Sequence, residues 1–129
     1  MQLEKVHEDS RGALYRVLLP TNQELMLLYS RAGSLRGGHS HTVDEIVILL
    51  TGQLEYHTLI NGEDVVSIVE AGHITFHEAG EVHMGRFLKD SYLLEWKIGT
   101  TIGEWQNVEY EPFRKQVRDS IKSAQSEGA

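Results

Sequence analysis

Short apolar runs separated by turn-forming residues dominate the chain, and a helical period is visible only near its end. Such runs, bounded by glycine, proline, asparagine or aspartate, are typical of β-strands. The strongest turn signal is Asn61-Gly62, which lies between two runs and predicts a tight hairpin. The pattern predicts an all-β fold of roughly eight to ten strands, which suits a closed antiparallel jelly roll. The clearest runs span residues 13–19, 25–29, 46–50, 54–60, 65–69, 74–76, 83–88 and 92–98.

The run 46–50 is apolar on both faces, which is unusual for a strand that separates a core from water. Because alternate residues share a face, Val47 and Leu49 are expected to point into the protein together with Glu45. The outward side chains then need a cover, and they are Ile46, Ile48 and Leu50. We expect a second copy of the chain to supply it, giving a homodimer. A second sheet or the amino-terminal strand of the same chain is the alternative.

The end of the chain carries a helical pattern. Phe113, Val117 and Ile121 recur every four residues and predict a short helix over residues 111–123 that docks on the barrel surface. Residues 124–129 are expected to form a flexible tail. At 129 residues the chain is long enough for one domain with a buried core, so we predict a single domain over residues 1–123.

Composition narrows the possible partners. The formal net charge is −7, so nucleic acid and anionic membranes, which require a cationic face, are not expected partners. There is no cysteine, so a metal site would have to use nitrogen and oxygen ligands. The first residues lack the apolar stretch of a signal peptide, and no run approaches the roughly 20 apolar residues of a membrane span. A soluble cytoplasmic protein is therefore expected.

Four side chains offer the neutral imidazole and carboxylate groups that a divalent transition metal binds: His39, His41, Glu45 and His83. His39 and His41 are two residues apart, so in a strand they point to the same side. Glu45 opens an apolar run, where an isolated buried charge would be costly and a shared metal is a suitable partner. Four protein ligands leave coordination positions open, which is typical of a catalytic metal site.

The spacing of these residues resembles the two sequence motifs of the cupin superfamily. The first motif, over residues 33–52, is matched in full by Gly33, His39, His41, Glu45 and Gly52. The second motif, over residues 72–87, is matched at Gly72, Gly80 and His83. It departs at Glu78, where proline is usual, and at Phe87, where asparagine is usual. Neither departure falls on a metal-ligand position.

The resemblance implies a cupin-type double-stranded β-helix, which is a jelly-roll barrel, here with a short C-terminal helix. It also implies one divalent transition metal per chain, bound by His39, His41, Glu45 and His83. The ligand types suit Fe, Mn, Ni, Cu or Zn, and affinity order alone does not choose among them. The fold hosts many chemistries, so it implies no particular reaction.

Several polar residues on the predicted strands are candidates for contact with a substrate in the barrel: Arg36, Tyr56, His77, Arg86 and Glu95. An arginine that faces a cavity would select an anionic molecule through paired hydrogen bonds. The remaining histidines, His7, His57 and His73, are interpreted as solvent-exposed or core residues.

Three functional hypotheses follow. The first is a metal-dependent small cupin enzyme, a dioxygenase or an isomerase, acting on a small polar or anionic molecule. The second is a metal-independent isomerase or epimerase of sugar nucleotides, because residues 9–12 and 36–41 resemble those of cupins in which histidines serve as acid and base. The third is a non-enzymatic cupin that binds a small ligand through its metal. Metal content separates the second from the others, and turnover on a substrate panel separates the first from the third.

Overall fold

The computed structural model describes residues 2–98 and 105–127, which form eleven strands and one helix. The elements are β1 (Gln2–Asp9), β2 (Gly12–Leu18), β3 (Glu24–Ser30), β4 (Leu35–His41), β5 (Glu45–Thr51), β6 (Gln53–Ile60), β7 (Glu63–Glu70), β8 (Ile74–His77), β9 (His83–Phe87), β10 (Ser91–Lys97), β11 (Asn107–Glu109) and α1 (Glu111–Glu127). All strand pairs are antiparallel. The predicted all-β architecture with a C-terminal helix is confirmed.

Two sheets make up the barrel. One has the strand order β1-β2-β3-β10-β5-β8, and the other has the order β11-β4-β9-β6-β7. The pattern of apolar runs did not reveal β1, which is rich in charged residues, or β11, which has three residues. Among the described residues, no helix is both long and apolar enough to cross a bilayer.

The main core lies between the two sheets, and β5 supplies its centre. Val47 and Leu49 are buried and share their inward face with Glu45, as the alternation predicted. They pack with Leu28 of the same sheet and Leu54 and Phe87 of the facing sheet. Full burial of an aliphatic or aromatic side chain contributes about 1.5–3 kcal/mol, so this cluster holds the sheets together next to Glu45.

A second core lies beneath α1. Phe113 and Val117 are fully buried against Met84, on the face of β9 that points away from the barrel interior. This confirms the predicted docking of the helix. The helix continues through Glu127, four residues past its predicted end, so most of the segment predicted to be a flexible tail is helical. Residues 128 and 129 lie outside the described residues.

A bulge in β4 determines which of its side chains face the interior. The pairing of β4 with β9 shifts between Gly37 and His39, so one extra residue separates Arg36 from His39. Gly37 has a φ of 97°, and a Cβ there would lie 2.9 Å from the carbonyl oxygen of His83. Only glycine fits this position. Because of the bulge, Arg36 and His39 both face the barrel interior although they are three residues apart.

The outward side of β5 and its neighbours forms an apolar surface, which we call the outer apolar face. Cross-strand rows place Phe76, Ile46 and Trp96 side by side, and Ile74, Ile48 and Leu94 in the next row. Ile74 and Phe76 remain 66% and 51% exposed, and Leu50 is 45% exposed. The amino-terminal strand β1 pairs with β2 at the opposite edge of the sheet. Within the part of the chain that the structure describes, the side of this face nearest β8 is therefore exposed.

Candidate metal centre

Three strands bring the four predicted ligands together at one end of the barrel. His39 and His41 lie at the end of β4, Glu45 begins β5, and His83 begins β9. The ring centroids are 4.8 Å apart for His39 and His41, 5.2 Å for His41 and His83, and 5.5 Å for His39 and His83. The three imidazoles each offer a nitrogen within 4.8 Å of the other two, which is close enough to share one ion.

The Glu45 carboxylate lies beside these rings and is almost fully buried. Its Oε2 is 3.3 Å from His41 Nε2, and its Oε1 is 3.8 Å from His83 Nε2. The glutamate is therefore placed to share a cation with the histidines, as the motif implies.

Neighbouring oxygens fix the orientation of two of the rings. His41 Nδ1 donates to Asn107 Oδ1 over 2.7 Å, because an amide oxygen can only accept. His83 Nδ1 likewise donates to the Glu81 carbonyl oxygen over 3.1 Å. When such a ring is neutral, its Nε2 atom carries the lone pair, which is the tautomer that binds metal in proteins.

The donor set fits a cation. Within the described part of the chain, His41 Nε2 is buried without a hydrogen-bond partner, and it lies 3.3 Å from Glu45 Oε2. Glu45 Oε2 itself is paired with Lys97 Nζ at 2.6 Å. A divalent metal held by His39, His41, Glu45 and His83 would give the His41 nitrogen a partner in this region shielded from water.

The pKa values of the site suit metal binding at neutral pH. Burial, reinforced by neighbouring histidines, lowers the pKa of His39 to about 4 and that of His83 to about 3. Burial tends to raise the pKa of Glu45, but the contacts with His41 and Lys97 outweigh it and keep that pKa well below its usual range. The two histidines are therefore neutral and the glutamate ionised near pH 7, as metal ligation requires.

Lys97 is a partner of Glu45 that the sequence analysis missed. Its Nζ lies 2.6 Å from Glu45 Oε2 and 3.2 Å from Glu95 Oε2, and it sits 4.2 Å from the centre of the Trp105 ring. Burial, followed by the charge of Glu45, raises the pKa of Glu95 to about 7. Alternation along β10 indicates only that residues 93, 95 and 97 share the inner face, and the pairing of β10 with β5 then sets Lys97 opposite Glu45. A metal is thus not the sole available counter-charge for Glu45.

A cavity of about 360 Å³ opens from the metal centre into the barrel. Its walls combine the apolar side chains of the main core with a few polar groups. Three of the five predicted substrate contacts line it: Arg36, Tyr56 and Glu95. This volume falls within the range of small-molecule sites.

Among these groups, Arg36 bears most directly on the charge of a molecule bound in the cavity. Its guanidinium is half-buried, donating from Nε to Ser30 Oγ over 2.6 Å and from Nη2 to the Tyr29 carbonyl oxygen over 3.3 Å. Burial, followed by the nearby charge of Arg11, lowers its pKa. Arg11 also lines the cavity, but it is paired with Asp9 at 2.7 Å. Arg36 makes no ion pair with any carboxylate in residues 2–98 and 105–127.

The other two predicted contacts, Arg86 and His77, do not line the cavity. Arg86 is three residues after His83 with no bulge between them, so it points to the opposite face of β9 and lies 3.8 Å from Glu55. For this reason Arg86 does not face the barrel interior, where the sequence predicted that it would contact a substrate. His77 faces the interior, as predicted, but it lies behind Glu45 and His83.

The chain resembles known proteins in its structure but not closely in its sequence. No protein-family model and no curated protein sequence matches the chain. The capsular polysaccharide assembling protein CapF from Staphylococcus aureus superposes with a TM-score of 0.70 at 17% identity, over 84% of this chain and 34% of that chain. A mutant of oxalate decarboxylase OxdC from Bacillus subtilis superposes with a TM-score of 0.70 at 16% identity, over 84% of this chain and 30% of that chain. Another structure of this decarboxylase, described for its Mn(II) centres, superposes with a TM-score of 0.68 at 17% identity, over the same shares of the two chains.

The chain spans about a third of the length of these solved structures, at 34% and 30%. Both proteins are cupins in fold. Of the two departures from the second cupin motif, Phe87 is buried in the main core and Glu78 is exposed in a turn, so neither alters the ligand set. The two facing antiparallel sheets, the motif positions at one end of the barrel and these structural neighbours show that the chain has the cupin fold.

Proposed function

We propose that the protein is a metal-dependent small cupin enzyme, of the isomerase or dioxygenase type, acting on a small anionic molecule. The observation that carries the proposal is the buried His41 Nε2, which has no hydrogen-bond partner among the described residues and lies 3.3 Å from the Glu45 carboxylate. These atoms lie at the end of a cavity that is also lined by Arg36, which forms no ion pair within residues 2–98 and 105–127. A cation at one end and a guanidinium further along would together bind an anion. Manganese is the first metal to test, because the oxalate decarboxylase structure is described for Mn(II) centres.

The chain's own residues supply the remaining functions. A metal held by the four ligands would polarise an oxygen of the bound molecule. Arg36 would orient a carboxylate through paired hydrogen bonds, and the apolar walls would exclude water. Glu95, which lines the cavity, would take a proton from the bound molecule and return it at a neighbouring atom. That transfer completes an isomerisation with no further reactant, whereas a dioxygenase reaction would consume O₂, so oxygen uptake distinguishes the two.

Replacing Arg36 by Met should weaken the binding of small mono- and dicarboxylates at least about tenfold, since the substitution removes a charge-assisted contact. Binding would be measured by calorimetry on the metal-loaded protein, with metal affinity measured separately and expected to stay unchanged. Arg86→Met is the matched control, because Arg86 lies on the opposite face of its sheet. Equal carboxylate affinity in the two variants would contradict the proposed anion site.

A metal-independent isomerase of sugar nucleotides is the second candidate. Two observations favour it: Lys97 already balances the charge of Glu45, and one structural neighbour is described as assembling a capsular polysaccharide. The buried His41 Nε2 argues for the metal-dependent candidate, because without a metal it has no hydrogen-bond partner among the described residues. Turnover of a nucleotide sugar by protein freed of metal would establish this second candidate instead.

We also propose that the outer apolar face is an interface between two copies of this chain. The face continues to β8, an edge strand of its sheet, so a two-fold axis beside β8 would join both edges and both apolar surfaces. The wild-type protein should sediment as a dimer at micromolar concentration, and Ile74→Glu should sediment as a monomer. Val66→Glu, which alters an exposed apolar residue of the other sheet, should stay dimeric. A monomeric wild type would contradict the interface.

A further inference from the structure

The cavity continues from the metal centre into the main core. Along β10, the side chains that line it are Lys97, then Glu95, then Leu93. Lys97 is paired with Glu45 at the metal centre. At about 3.4 Å per residue, Leu93 lies about 13 Å along the strand from Lys97. The cavity is therefore deeper than a carboxylate group bound at the metal requires.

The part of the cavity away from the metal is apolar, and we call it the apolar end of the cavity. Six apolar side chains from both sheets line it: Leu14, Met26, Leu28, Leu54, Phe87 and Leu93. Ordinary core packing leaves few voids larger than a water molecule, so a cavity of about 360 Å³ that reaches these side chains exceeds a packing defect. Water is held poorly among such side chains, because it finds no hydrogen-bond partner there.

Gly85 keeps the cavity open between the metal and the apolar end. It lies on β9 midway between His83 and Phe87, and its φ is outside the left-handed region, so the backbone conformation does not require glycine. A Cβ at this position would lie 3.0 Å from Leu54 Cδ1 and 3.8 Å from Tyr56 Cε1. A side chain here would press on Leu54 and occupy the cavity, which Gly85 lines. The glycine therefore leaves room for the atoms of a ligand.

We infer that the substrate is a carboxylic acid with an apolar group, whose carbon atoms fill the apolar end of the cavity. The inference rests on the proposed function, which binds an anion through the metal and Arg36, and adds to it the class of the molecule. Arg36 Nε donates to Ser30 Oγ, and Ser30 follows Leu28 by two residues on β3, so the guanidinium borders the apolar end. A carboxylate held there brings its attached carbon atoms against the leucine side chains. A polyhydroxylated acid or a sugar would instead bury hydroxyl groups without partners, which costs free energy.

The experiment measures the affinity of the full-length, Mn(II)-loaded protein for acetate, butanoate, hexanoate and ω-hydroxyhexanoate by calorimetry. Each methylene group buried at the apolar end should raise the affinity about fourfold, so hexanoate should bind at least about tenfold more tightly than acetate. The hydroxyl group of ω-hydroxyhexanoate is too far from the carboxylate to chelate the metal with it. This compound should bind at least about fivefold more weakly than hexanoate, because its hydroxyl group is buried among apolar side chains.

Met26→Gln tests the apolar end itself, because glutamine is close to methionine in shape but introduces a polar group. The variant should lower the ratio of hexanoate affinity to acetate affinity at least about fivefold. Leu27→Gln is the matched control, since Leu27 is the next residue of β3 and does not line the cavity. The control should keep the wild-type ratio.

Equal affinity of the wild type for acetate and hexanoate, or for hexanoate and ω-hydroxyhexanoate, would overturn the inference and leave the anion site standing. A wild-type affinity ratio in folded Met26→Gln would also overturn it. If Met26→Gln does not fold, the ligand series on the wild type decides alone. A wild-type protein that binds none of these carboxylates would instead overturn the proposed function itself, so the two failures are distinguishable.

Discussion

Replacing His83 by Ala is expected to abolish tight metal binding and with it the thermal stabilisation that metal gives the wild type. His83 belongs to both candidate donor groups, one with His39 and His41 and one with Glu45 and His77. Its loss therefore removes the ligand that joins them. A metal present at 1,000 times its Kd stabilises a folded protein by about 4 kcal/mol, and the variant should lose nearly all of this gain.

The measurement is the shift in melting temperature on adding metal, because the substitution also leaves a cavity that lowers the stability of the apo form. His73→Ala is the matched control, since His73 is exposed and lies ten residues earlier in the chain. The control should respond to metal as the wild type does. A metal-induced shift of wild-type size in His83→Ala would exclude the assigned ligand set.

Replacing Lys97 by Met should have two opposite effects. The apo form should lose about 3–5 kcal/mol of stability, because the carboxylates of Glu45 and Glu95 are then buried without their shared cation. Metal affinity should rise, because a divalent ion no longer competes with the ammonium group for Glu45. The metal-induced rise in melting temperature should consequently exceed that of the wild type.

Calorimetric melting with and without metal tests both effects. Lys115→Met is the control, because Lys115 pairs with Asp119 on the exposed surface of α1, where a salt bridge contributes little. An apo form of Lys97→Met that is as stable as the wild type would show that Glu45 and Glu95 do not depend on this lysine.

The rule that alternate residues of a strand share a face accounts for most of what was predicted correctly. It placed Val47 and Leu49 inside with Glu45, and it grouped His39 with His41. It fails where the backbone is irregular or a contact is distant in sequence. Arg36 reaches the cavity through the bulge at Gly37, a shift that depends on pairing with β9. Arg86, which has no such bulge, faces away.

The contacts that complete the site come from segments far apart in the chain. Asn107 orients His41 from 66 residues away, on a strand of three residues with no apolar pattern of its own. Lys97 reaches Glu45 only because β10 lies beside β5 in the sheet. Neither partnership can be predicted from local sequence, because each depends on how the strands are ordered in the sheets.

One metal ion is expected to bind per chain, and the metal content of the wild-type protein tests this most directly. The protein would be purified without chelators or nickel resin, dialysed, and measured by elemental analysis against its concentration. We predict close to one equivalent of a divalent transition metal per chain. Protein that contains no metal, and takes up none when Mn, Fe, Co, Ni, Cu or Zn is supplied, would contradict the claim.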